Sequence, residues 1–534
     1  MDADLVLLNG RIITVDARDS IAEAIAVRDG RITAVGTTQA MRANIGPSTR
    51  VIELGGKCVT PGLVDSHLHL IHYGHQFNDF FMDVRFPKAR SKKDLLDLVA
   101  ARVRVTPKGQ WVVSNQGFSV NLPIAPTLAE VDAVSPDHPV YLKHWSGQFS
   151  LANSQALRLA GITRSSRDPA NAKIGRDAAG EPNGVLSHYP AEQMVQRLMP
   201  EYLNFTEATV REGQRRTLAF GYTSVQDVFV ARQADIDMYR LTARNGGLQQ
   251  RLYLMRYLGA EQAVDAVVQQ VERFKDEWLT FGGWKLAIDG GGGAGTQLMY
   301  DRSLNMSNRS YPFFEQAELN RMILKLHKTG LQIAVHSCGD RAIDMVLNAY
   351  EEALSAVPRE NHRHRIEHCL FPTTQALDRI KTLGVVVSTS PQWIAFYGAN
   401  MRQSADDATM ARYLPLRTMM NMGIPVAFGC DVPATIMGEP RWAFMGAVAR
   451  RMREDYVPAP EQRISIRDAL RMHTMGSAYA AFDENVKGSI EPGKMADFVV
   501  WSHDLYRTMP RDWANLRPVQ VIVGGKVIEG LTFT

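Results

Sequence analysis

Val59-Thr60-Pro61-Gly62-Leu63-Val64-Asp65-Ser66-His67-Leu68-His69 reads as a short apolar strand running into two histidines one residue apart. Successive strand side chains point to opposite faces, so His67 and His69 leave the same face at the strand's C-terminal end, spaced to grip one metal ion. An isolated pair of this kind is as well explained by histidines that satisfy local hydrogen bonds. The rest of the chain favours the ligand reading. Leu331-Gln332-Ile333-Ala334-Val335 ends in His336, Arg365-Ile366-Glu367 precedes His368, and Ile424-Pro425-Val426-Ala427-Phe428-Gly429-Cys430 ends in Asp431. Each is a buried strand, then a ligand type, then a polar or glycine-containing loop, which is how a barrel collects ligands from several strand ends.

A further candidate lies in Gly282-Gly283-Trp284-Lys285-Leu286-Ala287-Ile288-Asp289-Gly290. Period-two alternation puts Lys285, Ala287 and Asp289 on one face and Trp284, Leu286 and Ile288 on the other, so Lys285 is aimed at a barrel mouth. The alternative is a lysine that pairs with Asp289 or is solvated. His72 and His75 follow the first histidine pair, where surface or supporting positions are the simpler reading. His362 and His364 share the parity of His368 but sit in the charged run Arg359 to Arg365, which reads as a solvated approach. Cys338, Cys369 and Cys430 lie near proposed ligands, as small apolar fillers commonly do.

Pro61-Gly62-Leu63-Val64-Asp65-Ser66-His67-Leu68-His69, Val335-His336-Ser337-Cys338-Gly339-Asp340, Arg365-Ile366-Glu367-His368 and Gly429-Cys430-Asp431 together resemble the signature segments of the amidohydrolase superfamily. The likeness runs from Leu5 to Ile528 and is nearest to the YtcJ-like branch that includes N-substituted formamide deformylase. It implies an α/β fold: a (β/α)8 TIM-like barrel over 59–484, with a small β-sandwich built from 1–58 and 485–534. It also implies a ligand set in which His67, His69 and Asp431 hold one metal, His336 and His368 hold a second, and a carboxylated Lys285 bridges them. With Lys285 unmodified, a single-metal site is expected. Zinc is the default ion for such donors, and manganese, iron or nickel suit them too. Asp431 is the expected catalytic acid/base, taking a proton from water and returning it to the leaving amine.

The implied reaction is hydrolysis of an amide, formamide or related carbon–nitrogen bond in a small, apolar or aromatic substrate. Deamination, ester or lactone hydrolysis and decarboxylation are the alternatives within the superfamily, and a scaffold that has kept the fold is a third. Two departures bear on substrate: this chain has Gln148 where the branch usually has histidine, and His188 where it often has glutamate. The stretch at about 75–205 is too long for one connection and reads as an insertion capping the active-site mouth. Substrate contacts are expected from His72, Trp145, Gln148, His188, Asp289 and Trp393, with Phe77 to Phe86 and Phe396 contributing.

Composition agrees with an ordinary globular enzyme. The chain has 534 residues, 45% hydrophobic and 22% charged, with a formal net charge of +4, which with no basic stripe argues against nucleic-acid binding. Four cysteines without paired spacing suggest a reducing compartment. No apolar run of about eighteen residues is present to span a bilayer. The acidic start, Met1-Asp2-Ala3-Asp4, is unlike a secretory signal. A cytoplasmic homodimer or other homo-oligomer, with a small-molecule substrate and no nucleic-acid or membrane partner, is the resulting expectation.

Overall fold

Gly62 divides the motif strand in two. The computed structural model describes residues 2–118, 125–169, 171–301, 310–402, 405–435, 437–451 and 456–533. It places Cys58–Pro61 in one sheet and Leu63–Leu68 in another. At Gly62 the chain crosses over Thr223 so closely that a Cβ would lie 2.0 Å from the threonine Oγ1, so a side chain here would force the two strands apart.

Eight parallel strands follow: β1 (Leu63–Leu68), β2 (Tyr222–Val230), β3 (Arg251–Tyr257), β4 (Leu279–Ala287), β5 (Gln332–Ser337), β6 (Arg365–His368), β7 (Val386–Thr389) and β8 (Val426–Phe428). They are hydrogen-bonded in sequence order, the βα arrangement of a TIM-like barrel. Outward-facing Trp284, Leu286, Ile333, Val335 and Ile366 join helix residues such as Leu319, Ile323 and Val346 in the largest apolar core, each such side chain contributing roughly 1.5–3 kcal/mol through its removal from water.

No ladder joins β8 to β1 among the described residues, so unpaired backbone groups at that seam need other partners. Beyond the strand ends, Asp431 N donates to His67 O at 2.7 Å and His69 N to Val432 O at 2.9 Å. Lower down, Ser477 Oγ accepts from Phe428 N and donates to Phe428 O, both at 3.1 Å, and His473 Nδ1 donates to Val64 O at 3.3 Å. The seam is therefore closed at its mouth by the same residues that carry the candidate ligands.

The chain ends build two face-to-face sheets. One holds Leu5–Leu8, Ala24–Arg28, Arg31–Gly36 and Arg50–Glu53; the other interleaves Cys58–Pro61 and Arg11–Ile13 with Phe498–Trp501 and Pro518–Val523. Leu5, Ile25, Val59, Phe498 and Ile522 share one core between them. Asp29 and Gly30, both with positive φ, turn the hairpin between the second and third strands. This sheet pair extends to Pro61 rather than stopping at Cys58. Between β1 and β2, within the stretch read as a cap, runs a separate six-stranded sheet from Phe81–Met82 to Pro182–Ser187.

The charged run 359–365 is solvated only in its first part: Glu360 and Asn361 are exposed, whereas His362, Arg363, His364 and Arg365 are all buried. The hydrogen bonds assign each histidine one tautomer. His327 Nε2 donates to Val357 O and His364 Nε2 to His327 Nδ1, both at 2.8 Å, while His364 Nδ1 accepts from Ile333 N at 3.1 Å. His362 Nδ1 accepts from His364 N at 2.9 Å and its Nε2 donates to Leu383 O at 2.8 Å. Every ring nitrogen is satisfied only while the rings are neutral, and burial holds the His362 and His364 pKa values below the ordinary 6.5, with His364 well below. The unfolded chain takes up these protons as pH falls below about 6.5 and the folded chain does not. The stabilisation is complete above that pH and is lost on acidification towards the lowered folded values, at up to about 1.4 kcal/mol per pH unit per group. Thermal melts between about pH 7 and pH 5 should therefore fall more steeply for the native chain than for His364→Asn. Parallel slopes would show that the cluster does not couple to pH.

Candidate active site

The interior of the barrel below its mouth is polar. Fully buried Arg365 donates from Nε to Glu367 Oε1 at 2.6 Å and from a terminal nitrogen to Ser66 O at 2.6 Å. The other oxygen of Glu367 meets His67 Nδ1 across the barrel. This fixes the His67 ring so that Nε2 faces the mouth, the carboxylate–histidine arrangement that orients imidazole ligands. Glu367 is thus placed to orient His67, and Glu367→Gln should weaken metal affinity about 10- to 100-fold, read by titration of a metal-stripped variant that still melts cooperatively. Unchanged affinity would make the pair purely structural.

Arg365 and Glu367 point inward, so strand parity would send His368 outward toward the helices. It lines the mouth instead because its φ is +75°, which breaks the pleat at the end of β6. His364, on the same nominal parity, does point outward into the cluster described above. Asp431 (φ +56°) and His188 (φ +67°) also hold left-handed backbone, a conformation that side-chain-bearing residues adopt at a cost of order 1 kcal/mol and that concentrates at functional sites.

His67, His69, Lys285, His336, His368 and Asp431 all line one cavity at the C-terminal mouth of the barrel, together with His72, Trp145, Gln148, His188, Asp289 and Trp393. The donor atoms of His67, His368 and Asp431 lie within 4.8 Å of one another, and those of Asp289, His336 and Cys338 form a second such group. His69 Nε2 is 3.1 Å from Asp431 Oδ1, and His67 Nε2 is 3.5 Å from the same oxygen. His368 thus sits with His67 and Asp431, whereas the resemblance implies a pairing with His336; the two rings are nonetheless neighbours, with centroids 4.4 Å apart.

Burial, reinforced by nearby Lys285, pushes the pKa of His67 well below 6.5 and that of His336 to about 3. His368, also buried, lies well below 6.5 as well. The imidazoles are neutral and available as ligands. Burial also lowers Lys285 to about 8, and its amine makes no hydrogen bond or ion pair among the described residues. Lys285 does not pair with Asp289, whose carboxylate instead accepts from the backbone amides of Leu298, Cys338 and Gly339 at 2.9–3.0 Å. The alternation read along β4 holds: Lys285 and Ala287 line the cavity while Trp284 and Leu286 are in the outer core.

His72 and His75 are cavity residues rather than surface ones. The Phe77 to Phe86 stretch contributes less than its aromatic content suggests. Phe81 reaches the cavity, but Phe77 is held between the Arg85 and Arg216 guanidinium groups, and Phe86 is exposed. Trp393 stacks on His368 with centroids 4.8 Å apart, whereas Phe396 turns away to Trp442. Unforeseen members of the wall are Phe229, Tyr257, Phe313 and Tyr397, the last stacked on Trp145 at 4.1 Å. The two departure positions are neighbours across strands of the inserted sheet, His188 N donating to Gln148 O at 2.7 Å.

Residues 50–529 match the amidohydrolase family model. The chain belongs to the amidohydrolase family. Among curated members, this amidohydrolase is 29% identical to Protein LONG AFTER FAR-RED 3 of Arabidopsis thaliana, over 98% of this chain and 91% of the relative. It is 29% identical to N-substituted formamide deformylase of Arthrobacter pascens, over 97% and 96%. To the putative amidohydrolase YtcJ of Bacillus subtilis it is 27% identical, over 97% and 98%. The branch likeness read from the motifs is thus borne out. Its fold is that of an uncharacterised metal-dependent hydrolase of Pyrococcus horikoshii, with a TM-score of 0.74 at 23% identity, covering 95% of this chain and 99% of the other. No helix among the described residues of the amidohydrolase is long and apolar enough to cross a membrane.

Proposed function

We propose that this amidohydrolase is a metal-dependent hydrolase of an amide, formamide or related carbon–nitrogen bond in a small substrate with an apolar or aromatic part. The observation that carries the reading is the convergence of His67, His368 and Asp431 at the floor of an aromatic-walled cavity. The donor set fits a divalent cation. Neutral imidazoles face a carboxylate, His69 Nε2 reaches that same carboxylate, and the buried Nδ1 atoms of His69 and His368 have no hydrogen-bond partner among the described residues. Zinc suits these donors, with manganese, iron and nickel as further occupants. When bound, such an ion would supply Lewis acidity, bringing the pKa of water down to about 7 and polarising a carbonyl.

The chain's own groups do the rest. Asp431 is placed to take the proton of the attacking water and hand it to the leaving amine; burial raises its pKa above the usual carboxylate value, which brings it closer to that of an effective base. Trp393, Phe229, Tyr257 and the Trp145–Tyr397 stack enclose the substrate and exclude water. The relative named a formamide deformylase makes N-formyl amines the first substrates to try, and Gln148 and His188 mark where selectivity differs from the branch.

Metal analysis of the purified protein beside turnover of N-formyl, N-acyl, ester and carboxylate substrates tests the reading. Bound metal with N-formyl or N-acyl hydrolysis supports it, turnover of esters alone favours the alternative chemistry, and metal with no turnover favours a scaffold. Lys285 makes a separate prediction. Its depressed pKa and lack of a partner suit addition of carbon dioxide to the neutral amine, giving a carbamate and releasing one proton. Native mass spectrometry should show that added unit on Lys285, and Lys285→Ala should lose metal, with partial rescue by a short carboxylic acid. An unmodified lysine in the metal-loaded protein would support a mononuclear site.

A further inference from the structure

We propose that Lys143, on the inserted sheet, is a specificity-determining residue whose ammonium receives an oxygen acceptor, carboxylate or carbonyl, on the part of the substrate remote from the bond cleaved. This deepens the hydrolase reading and rests on it. Lys143 lies on the strand Val140–His144, whose side chains alternate between two faces. Val140 and Leu142 pack in one core of the inserted sheet, and Tyr141 packs in another with Ala191 and Val195 of the helix Tyr189–Gln196. Lys143 shares the Tyr141 face, where it pairs with Glu192 of that helix and lines the active-site cavity. Beyond the strand the chain turns at Gly147 (φ +69°), whose carbonyl accepts from Lys143 Nζ at 3.1 Å. The same loop rests on the barrel. Trp145 stacks on Tyr397, a Cβ on Gly293 would lie 2.7 Å from the Trp145 ring, and one on Gly291 would lie 3.8 Å from Gln148 Cγ. Gly291 and Gly293 follow Asp289 in the loop after β4, so Lys143 is anchored beside the mouth that holds the candidate metal ligands.

The donor count decides what this position takes. An ammonium has three N–H groups. Glu192 Oε2 and the Gly147 carbonyl accept two of them, and the third has no partner among the described residues. The Lys143 side chain is 10% exposed against 1% for Glu192, and the second Glu192 oxygen is sealed from solvent. A ligand in the cavity therefore meets the ammonium and not the carboxylate, so an acceptor is what the position lacks. Stability is a poor reason for the pair, because exchanging a buried ion pair for apolar residues of similar volume is often neutral or stabilising. Among walls such as Trp393, Phe229 and Tyr257, a braced ammonium discriminates against any substrate that leaves its last donor unfilled. Glu192 and Gly147 fix its direction in advance, which reduces the ordering cost of binding.

A matched series of formamides reads the preference: N-formylphenethylamine, its ring para-carboxylate and para-carboxamide, and N-formylphenylalanine in both enantiomers. At least one oxygen-bearing member should exceed the parent by about 10- to 100-fold in kcat/KM, mainly through KM. Lys143→Met/Glu192→Gln, which leaves no lone buried charge, should bring that ratio close to one. A carboxamide that gains with the carboxylate assigns a carbonyl acceptor; gain by the carboxylates alone assigns an anion. A ratio near one for every member in the native protein overturns the proposal, and this arm stands even if the variant does not fold. A preference that survives in the variant overturns it too. If no formamide is turned over, the hydrolase reading falls by itself. The series is then scored as ligands by quenching of tryptophan fluorescence, Trp145 and Trp393 being cavity residues. The same ratio in dissociation constants supports the role of Lys143, and its absence overturns it.

Discussion

Asp431→Asn should keep its metal near the native content while kcat falls by about a hundred- to ten-thousand-fold. The amide preserves the shape and one ligand oxygen of the carboxylate, and His67, His69 and His368 surround the same position. What the amide lacks is a proton-accepting form. Positioned proton transfer is typically worth that factor, so the loss falls on kcat rather than on binding, and the acidic limb of the pH–rate profile changes most. Elemental analysis beside steady-state kinetics checks both halves. A variant that keeps metal and near-native kcat would move the proton-handling role to another cavity residue, with His188, His72 and Asp289 next in line.

Metal removal should have the second large effect. Chelation is expected to abolish turnover, and zinc or manganese to restore it, because none of the remaining cavity groups supplies comparable Lewis acidity. Stability should follow occupancy: an ion at about a thousand times its dissociation constant adds about 4 kcal/mol to the folded state. The stripped protein should therefore melt at a lower temperature and recover on reloading. Full activity in a demonstrably metal-free sample would end the mechanism proposed for this cavity.

The barrel was legible because its strands repeat one pattern, an apolar run closed by a ligand-type residue, and β1, β5, β6 and β8 all end that way. Lys285 was legible because β4 keeps a regular pleat up to the mouth. The partner of His67 was not, since Glu367 lies 300 residues away and the two meet only across the closed barrel. Periodicity gave His364 the parity of His368, yet the two face opposite ways, because counting in twos assumes an unbroken pleat and His368 breaks it with a left-handed residue. Within the run from Arg359 to Arg365, the part from His362 onward is buried because its charges and rings are paired internally with Glu484, Glu367, His327 and backbone carbonyls, information that composition does not carry.

The left-handed backbone at His368 and Asp431 has an evolutionary corollary. Both positions would be more comfortable as glycine, so substitutions that relax the backbone there would strengthen the fold while erasing the ligands. Selection for robustness alone would then drift toward a sturdier, inert barrel, and keeping these two side chains requires a standing demand for the chemistry they perform. In a lineage released from that demand, the mouth of the barrel is where decay would begin, well before the apolar outer core showed any change.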